Sequence, residues 1–91
     1  MICLVITRRR ATFDPARLSE HYAFLADLAA KGRLLLSGPF NDGSGGGYLL
    51  AADTLAEGQT IAEQDPLHRY GCSDLEIHGW SATRTAAPWP A

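Results

Sequence analysis

The sequence predicts a small α+β domain whose elements follow in the order β-α-β-β-α-β. Two observations lead to this prediction. Continuous apolar runs, typical of strands that are covered on both faces, recur along the chain. Segments with helical spacing of apolar residues and recognisable caps lie between some of these runs. The chain has 91 residues, so a single domain, 1–91, accounts for all of it.

The first strand and the first helix have clear limits. Residues 2–6 form an apolar run rich in β-branched side chains, which predicts a strand. Asp14 can cap a helix that starts at Pro15, and Gly32 can end it, so we expect a helix over about 15–31. Its buried face would consist of the apolar side chains at helical spacing: Leu18, Tyr22, Leu25, Leu28 and Ala29.

A hairpin is predicted to follow this helix. Residues 33–37, with three leucines, and residues 48–52 are typical of strands. Gly38 and Pro39 are expected to end or bend the first of these two strands. The glycine-rich run 41–47 opens no helix and lacks the lysine of a phosphate-binding loop, so it predicts a flexible hairpin loop.

The second half of the chain predicts two helical segments and a strand. Thr54 and Glu57 fit a capping box, and Gly58 inside the helix would weaken it by about 1 kcal/mol relative to alanine. Asp65, which precedes a proline, predicts one more helical turn that ends at Gly71. The alternation of apolar and polar residues in Leu-Glu-Ile-His-Gly-Trp (75–80) predicts the last strand, and an irregular tail follows from about residue 83.

This order of elements is the ferredoxin-like arrangement, one antiparallel sheet with two helices on one face. The helices cover one face only, whereas the strands at 2–6 and 33–36 are apolar on both faces. A second copy of the chain that stacks its sheet against the first would cover the other face, so the pattern predicts a homodimer. The alternative is that the tail, which contains Trp89, folds back over that face.

Composition and charge argue against several classes of partner. The net charge is −2, which provides no electrostatic reason to bind nucleic acid. The run Arg8–Arg10 follows an apolar segment and favours a solvated loop over an anion or phosphate contact. No apolar stretch approaches the length of a membrane span, and the apolar N-terminus is too short for a signal peptide and has its charges on the wrong side.

The cysteines favour a reducing compartment. Cys3 and Cys72 lie in or beside segments that are typical of buried strands, so we expect reduced core thiols and a cytoplasmic protein. No pair of cysteines or histidines has the spacing of a metal site, and no cofactor-binding motif is present. We therefore expect neither a metal nor a cofactor.

His21 is the most informative residue for function. It follows Leu18 by three positions and precedes Leu25 by four, which places it on or beside the buried stripe of the first helix. A polar ring in that position needs a hydrogen-bond partner. Both a structural histidine and a histidine that acts on a ligand are consistent with this position.

Other candidate residues have a structural and a functional interpretation. Asp65 fits a helix N-cap, and it could also interact with a ligand or a ring if one carboxylate oxygen stays free. Ser37, Gly38 and Pro39 lie at a predicted strand end, where a ligand could approach the backbone closely, although local evidence favours a plain turn. The remaining histidines are expected to face solvent: His68 and His78.

Together these features resemble the YCII-related family over nearly the whole chain. The resemblance lies in the order and spacing of His21 within His-Tyr-Ala-Phe-Leu, of the segment Lys-Gly-Arg-Leu-Leu-Leu-Ser-Gly-Pro (31–39), and of Gln-Asp-Pro-Leu (64–67). It implies a dimeric α/β barrel with a pocket in which His21 and Asp65 form a catalytic pair. Within the segment 31–39, the candidates for substrate binding are Arg33, Ser37, Gly38 and Pro39.

The resemblance also implies a type of chemistry. A relative that removes chloride from a chlorinated hydroxyquinol implies that this scaffold can support lyase reactions. A carboxylate beside an imidazole fixes its tautomer, and the ring can then abstract or return a proton. We therefore expect a small lyase or isomerase for a cyclic or aromatic substrate, with a ligand-binding module or a structural module as alternatives. The glycine-rich hairpin, shorter than in the family pattern, and the Pro-Trp-Pro tail depart from that pattern.

Overall fold

The structure is a computed structural model that describes residues 1–90, and it consists of one antiparallel sheet with helices on one face. The strand order is β2-β3-β1-β4, which confirms the predicted ferredoxin-like α+β class. The elements are β1 (Ile2–Arg9), a 3₁₀ turn (Pro15–Arg17), α1 (Leu18–Ala30), β2 (Leu34–Pro39), β3 (Gly45–Ala51), α2 (Leu55–Ala62), α3 (Pro66–Arg69) and β4 (Ser73–Trp80).

The helix caps lie where the sequence places them. The Asp14 carboxylate accepts a hydrogen bond from the backbone N–H of Ala16 at 3.0 Å, although the first turn is 3₁₀ and not α. The Thr54 hydroxyl accepts from the backbone N–H of Glu57 at 3.1 Å. Gly32 and Gly71 end their helices with φ of 72° and 69°, a conformation that favours glycine.

The hairpin differs from the prediction in its strand limits. β2 continues through Gly38 to Pro39, and β3 starts at Gly45, so three of the loop glycines belong to a strand. Pro39 is tolerated because β2 is an edge strand, where a missing N–H need not interrupt the ladder. β1 likewise extends to Arg9, so the solvated loop predicted for Arg8–Arg10 is wrong for its first two residues.

The buried face of α1 is rotated relative to the predicted stripe. Leu25 and Leu28 are buried, but Tyr22 and Ala29 are exposed. Phe24 packs against the core in their place, with its ring 6.4 Å from the ring of Tyr48. The rotation brings the position of His21 towards the middle of the buried face.

The core lies between the helices and one face of the sheet, which we call the inner face. Its buried members come from β1, α1, β3 and α2: Cys3, Val5, Leu25, Leu28, Tyr48, Leu50, Ala52 and Ala62. Cys3 and Cys72 are both buried free thiols. No helix within residues 1–90 is long and apolar enough to cross a membrane.

The opposite, outer face of the sheet lacks a helix layer, and it is apolar except along β4 and the end of β1, where Arg8, Glu76 and His78 lie. The strand register places on this face the side chains of Ile2, Leu4, Ile6, Leu36, Leu49 and Trp80. Residues 82–90 have no regular structure and border a shallow groove over part of this face. Trp89 remains 78% exposed, so its side chain does not cover the face.

Gly58 offers a test of the packing between α2 and β1. A Cβ atom at this position would lie 2.6 Å from the Sγ atom of Cys3, which is fully buried. Overpacking of this kind costs about 1–3 kcal/mol and should exceed the gain in helix propensity of about 1 kcal/mol. We expect Gly58→Ala to lower the free energy of unfolding, as measured by urea denaturation.

The matched control is the same substitution in a Cys3→Ala background. Removal of the sulfur leaves room for the methyl group, so that only the propensity gain remains. Gly58→Ala should then stabilise the protein by up to about 1 kcal/mol. An equal gain in both backgrounds would show that Gly58 is not required for close packing.

Candidate functional site

A cavity of about 240 Å³ lies between α1 and the inner face of the sheet. The start of β3, which lines it, is made of glycine. Gly46 pairs with Thr7 on one side and with Pro39 on the other, and a Cβ atom on it would lie 2.8 Å from the carbonyl oxygen of Gly38. The lining residues are Thr7, Arg9, Phe13, Leu18, His21, Tyr22, Leu25, Ser37, Gly38, Pro39, Gly45, Gly46, Gly47, Tyr48, Leu67 and Ser73.

His21 and Asp65 meet at the wall of this cavity. The Nδ1 atom of His21 lies 2.8 Å from Oδ1 and 2.9 Å from Oδ2 of Asp65. The Asp65 side chain is fully buried and that of His21 is 12% exposed. The structure thus brings together two residues that are 44 positions apart in the sequence.

Asp65 has two structural contacts at once. Its Oδ1 atom also accepts a hydrogen bond from the backbone N–H of Leu67 at 2.9 Å and so caps α3. The rigid start of α3 therefore fixes the position of the carboxylate. The cap and the contact with His21 are compatible because a carboxylate has several lone pairs.

The Asp65 carboxylate determines the tautomer of His21. An ionised carboxylate can only accept hydrogen bonds, so Nδ1 carries the proton in the neutral ring. The Nε2 atom then keeps its lone pair, and it has no hydrogen-bond partner among residues 1–90. Because His21 lines the cavity, Nε2 is the atom available to a ligand.

Tyr48 and Ser73 belong to the cavity but were not among the predicted site residues. The Tyr48 hydroxyl and the Ser73 hydroxyl are buried and have no hydrogen-bond partner in the described part of the chain. Burial, and to a smaller extent the nearby Asp65 carboxylate, raises the pKa of the Tyr48 phenol far above its ordinary value. The phenol is therefore a protonated hydrogen-bond donor. The strand alternation places Tyr48 on the inner face, but nothing in the sequence indicates that its hydroxyl lacks a partner.

Arg9 is a third cavity residue that was not among the predicted site residues. Its guanidinium carbon lies 4.1 Å from the centre of the Phe13 ring. Arg8 and Arg10 form ion pairs with Glu76 and Asp74. The basic run thus separates into two paired arginines and one that lines the cavity.

The predicted substrate-binding residues divide into two groups. Ser37, Gly38 and Pro39 line the cavity. Arg33 does not, because it precedes β2 at the opposite end from Pro39. Its guanidinium donates to the Glu57 carboxylate and, at 3.4 Å, to a backbone carbonyl, and its hydrogen bond lowers the pKa of Glu57. Arg33 therefore lies outside the cavity that the other three residues line.

The other titratable residues offer no second site of this type. His68 and His78 are exposed, and His78 contacts Glu76 at 2.9 Å. Within residues 1–90, no group of three or more His, Cys, Asp or Glu side chains is arranged to hold a metal ion.

Solved structures with the same fold include two enzymes. The 5-chloro-2-hydroxyhydroquinone dehydrochlorinase of Burkholderia phenoliruptrix AC1100, in complex with 2,5-dihydroxybenzoquinone, is similar with a TM-score of 0.75 and 21% identity over 91% of this chain and 96% of that chain. A muconolactone isomerase is similar with a TM-score of 0.63 and 16% identity over 99% and 98% of the two chains. At these identities the likeness shows the fold.

Sequence comparison identifies the family of the chain in addition to its fold. The uncharacterised protein YjpA of Bacillus subtilis (strain 168) is 42% identical over 77 residues, which cover 85% of this chain and 91% of that protein. The sequence model of the YCII-related domain matches residues 1–81, the part of the chain that contains the sheet, the helices and the cavity. The chain therefore belongs to the YCII-related family.

Proposed function

We propose that the chain is a cofactor-free lyase or isomerase in which His21 transfers a proton on a small cyclic or aromatic substrate. The observation that carries the proposal is the orientation of the ring. Nδ1 is held by the buried Asp65 carboxylate, and the other ring nitrogen is available to a cavity of about 240 Å³. A site of this size fits a molecule with a single ring.

The proposed step is general base catalysis followed by general acid catalysis. Nε2 accepts a proton from a C–H or O–H group of the substrate, and the bonding electrons remain on the substrate as an enolate or phenolate. Asp65 stabilises the imidazolium that results. The proton then returns to another substrate atom, which completes an isomerisation, or the electrons expel a leaving group, which completes an elimination. Such catalysis contributes a factor of roughly 10²–10⁴ in rate.

The names of the structural neighbours are consistent with this class of reaction. A dehydrochlorinase removes the elements of hydrogen chloride, and an isomerase moves atoms within one molecule. Both reactions can proceed by proton transfer without a redox change. We propose that Ser37, Gly38 and Pro39 contact the substrate, because they line the cavity at the end of an edge strand.

We propose that two copies of the chain associate through the outer face of the sheet. The centre of this face, on β1, β2 and β3, is apolar, and Leu36 and Trp80 are 43% and 48% exposed. A contiguous apolar surface of this kind is unfavourable in water and is typical of an interface. A cytoplasmic location is consistent with the two buried free thiols, because disulfides are rare in that compartment.

Asp65→Asn tests the catalytic pair. The asparagine oxygen can still cap α3 at Leu67, while its amide N–H₂ group would donate to Nδ1 of His21 and move the ring proton to Nε2. We expect activity to fall by about 10²–10⁴-fold with little change in stability. Proton transfer can be measured without knowledge of the product, as deuterium uptake from D₂O into a panel of phenols, hydroquinones and lactones.

The tautomer provides an independent readout. ¹⁵N NMR of the His21 ring should show an Nδ1–H tautomer in the wild type and an Nε2–H tautomer in Asp65→Asn. His68→Asn, at an exposed histidine in the same region, is the control and should change neither property. Full activity in Asp65→Asn would reduce the role of Asp65 to that of a helix cap.

Leu36→Asp tests the dimer. A charge on the outer face would be buried without a partner in the interface, at a cost of several kcal/mol. We expect sedimentation at micromolar concentration to show a dimer for the wild type and a monomer for Leu36→Asp. Leu55→Asp is the matched control, because Leu55 is 40% exposed but lies on α2. A monomeric wild type would refute the proposed interface.

A further inference from the structure

The cation that lines the cavity without an acidic partner is Arg9. No aspartate or glutamate is among the lining residues, and the Asp65 carboxylate behind the wall is paired with His21. The chain as a whole has a net charge of −2, so this local excess does not follow from its composition. A cavity of this kind favours an anionic ligand.

Arg9 differs from the neighbouring arginines by its orientation. Successive side chains of a strand point to opposite faces, and Arg9 falls on the same face as Thr7, which also lines the cavity. Arg8 and Arg10 are neutralised by acidic residues of β4, but no carboxylate of residues 1–90 forms an ion pair with Arg9. The Phe13 ring supports the flat face of its guanidinium and leaves the N–H edge available for a carboxylate.

Two residues that line the cavity have buried hydroxyls without a hydrogen-bond partner. The hydroxyls of Tyr48 and Ser73 belong to residues that are only 3% and 4% exposed, and neither forms a hydrogen bond in the described part of the chain. Buried polar groups without partners are unfavourable. A ligand oxygen would satisfy them, since the protonated phenol donates and the serine hydroxyl can donate or accept.

The strand register separates these groups along the cavity. Tyr48 pairs with Val5, and Ser73 pairs with Arg9. Val5 and Arg9 are four residues apart on one strand, a distance of about 13 Å between their backbones. The polar groups therefore lie at separate positions along the cavity, so the position of an oxygen on the ring of a ligand decides which of them it can reach.

We propose that the cavity selects a small ring compound that carries a carboxylate, which pairs with Arg9, and a second oxygen, which bonds to Tyr48 or Ser73. This inference rests on the proposed function for one point, the position of the reacting atom of the ligand next to Nε2 of His21. The selection itself requires binding and no turnover. The ligand class is thus a hydroxylated or carbonyl-bearing cyclic carboxylate.

Binding of simple probes to the full-length protein tests the role of Arg9. Benzoate and benzamide have similar shapes and differ in charge. Calorimetric or NMR titration of the wild type should show benzoate binding about tenfold more tightly than benzamide, because a hydrogen bond to a charged group is worth more than a neutral one. Arg9→Gln should remove the difference, and Arg9→Lys should restore part of it.

The neighbouring arginine provides the matched control. Arg8→Gln removes the same charge from the same strand but on the face away from the cavity, so the preference for benzoate should persist. His21→Asn should also retain most of the preference, which excludes the imidazolium as its main source. Equal affinity of the wild type for both probes, or an equal loss in Arg8→Gln and Arg9→Gln, would overturn the proposal.

The ortho, meta and para hydroxybenzoates test the interior groups. At least one isomer should bind more tightly than benzoate, and Tyr48→Phe or Ser73→Ala should abolish that gain while the preference for carboxylate remains. No gain for any isomer would refute the role of the two hydroxyls. Deuterium uptake separates the two proposals: selective binding without exchange in any probe refutes catalysis alone, and exchange without selectivity refutes the ligand class alone.

Discussion

The buried carboxylate of Asp65 is the interaction on which the site depends. It is fully inaccessible to solvent and lies between the backbone N–H of Leu67 and the ring of His21. Loss of one partner of a buried, hydrogen-bonded charge typically costs about 3–5 kcal/mol, so α1 and α3 are held in register by the same group that orients the imidazole. Fold stability and ring orientation are therefore linked at this residue.

The cavity beside this pair is lined in part by residues that lack side chains. The strand β3 starts with three glycines. A Cβ atom at Gly45 would lie 1.8 Å from the carbonyl oxygen of Thr7. Glycine at these positions allows the backbones of neighbouring strands to approach closely. The basic run at the end of β1 borders the cavity, so that one arginine lines it while the arginines before and after it form ion pairs on the surface.

Local signals in the sequence were sufficient for most of the fold. The caps at Asp14, Thr54 and Asp65 and the stops at Gly32 and Gly71 depend on backbone groups a few residues away, so sequence spacing alone reveals them. The ends of the strands were harder to predict from the sequence. Gly38, Pro39 and the glycines of 45–47 have low strand propensity, and they join the sheet because the partner strands β1 and β3 extend past them.

The sequence by itself determined the order of elements, the family to which the chain belongs and the position of His21 on a buried helix face, because each depends on local patterns or on motif order. Only the tertiary structure decided which polar groups share one cavity. Arg33 lies in the same motif as Ser37 but forms a salt bridge at the other end of β2, whereas Arg9, Tyr48 and Ser73 come from three different strands. Their proximity arises from strand register and helix packing, which are long-range constraints that no local pattern records.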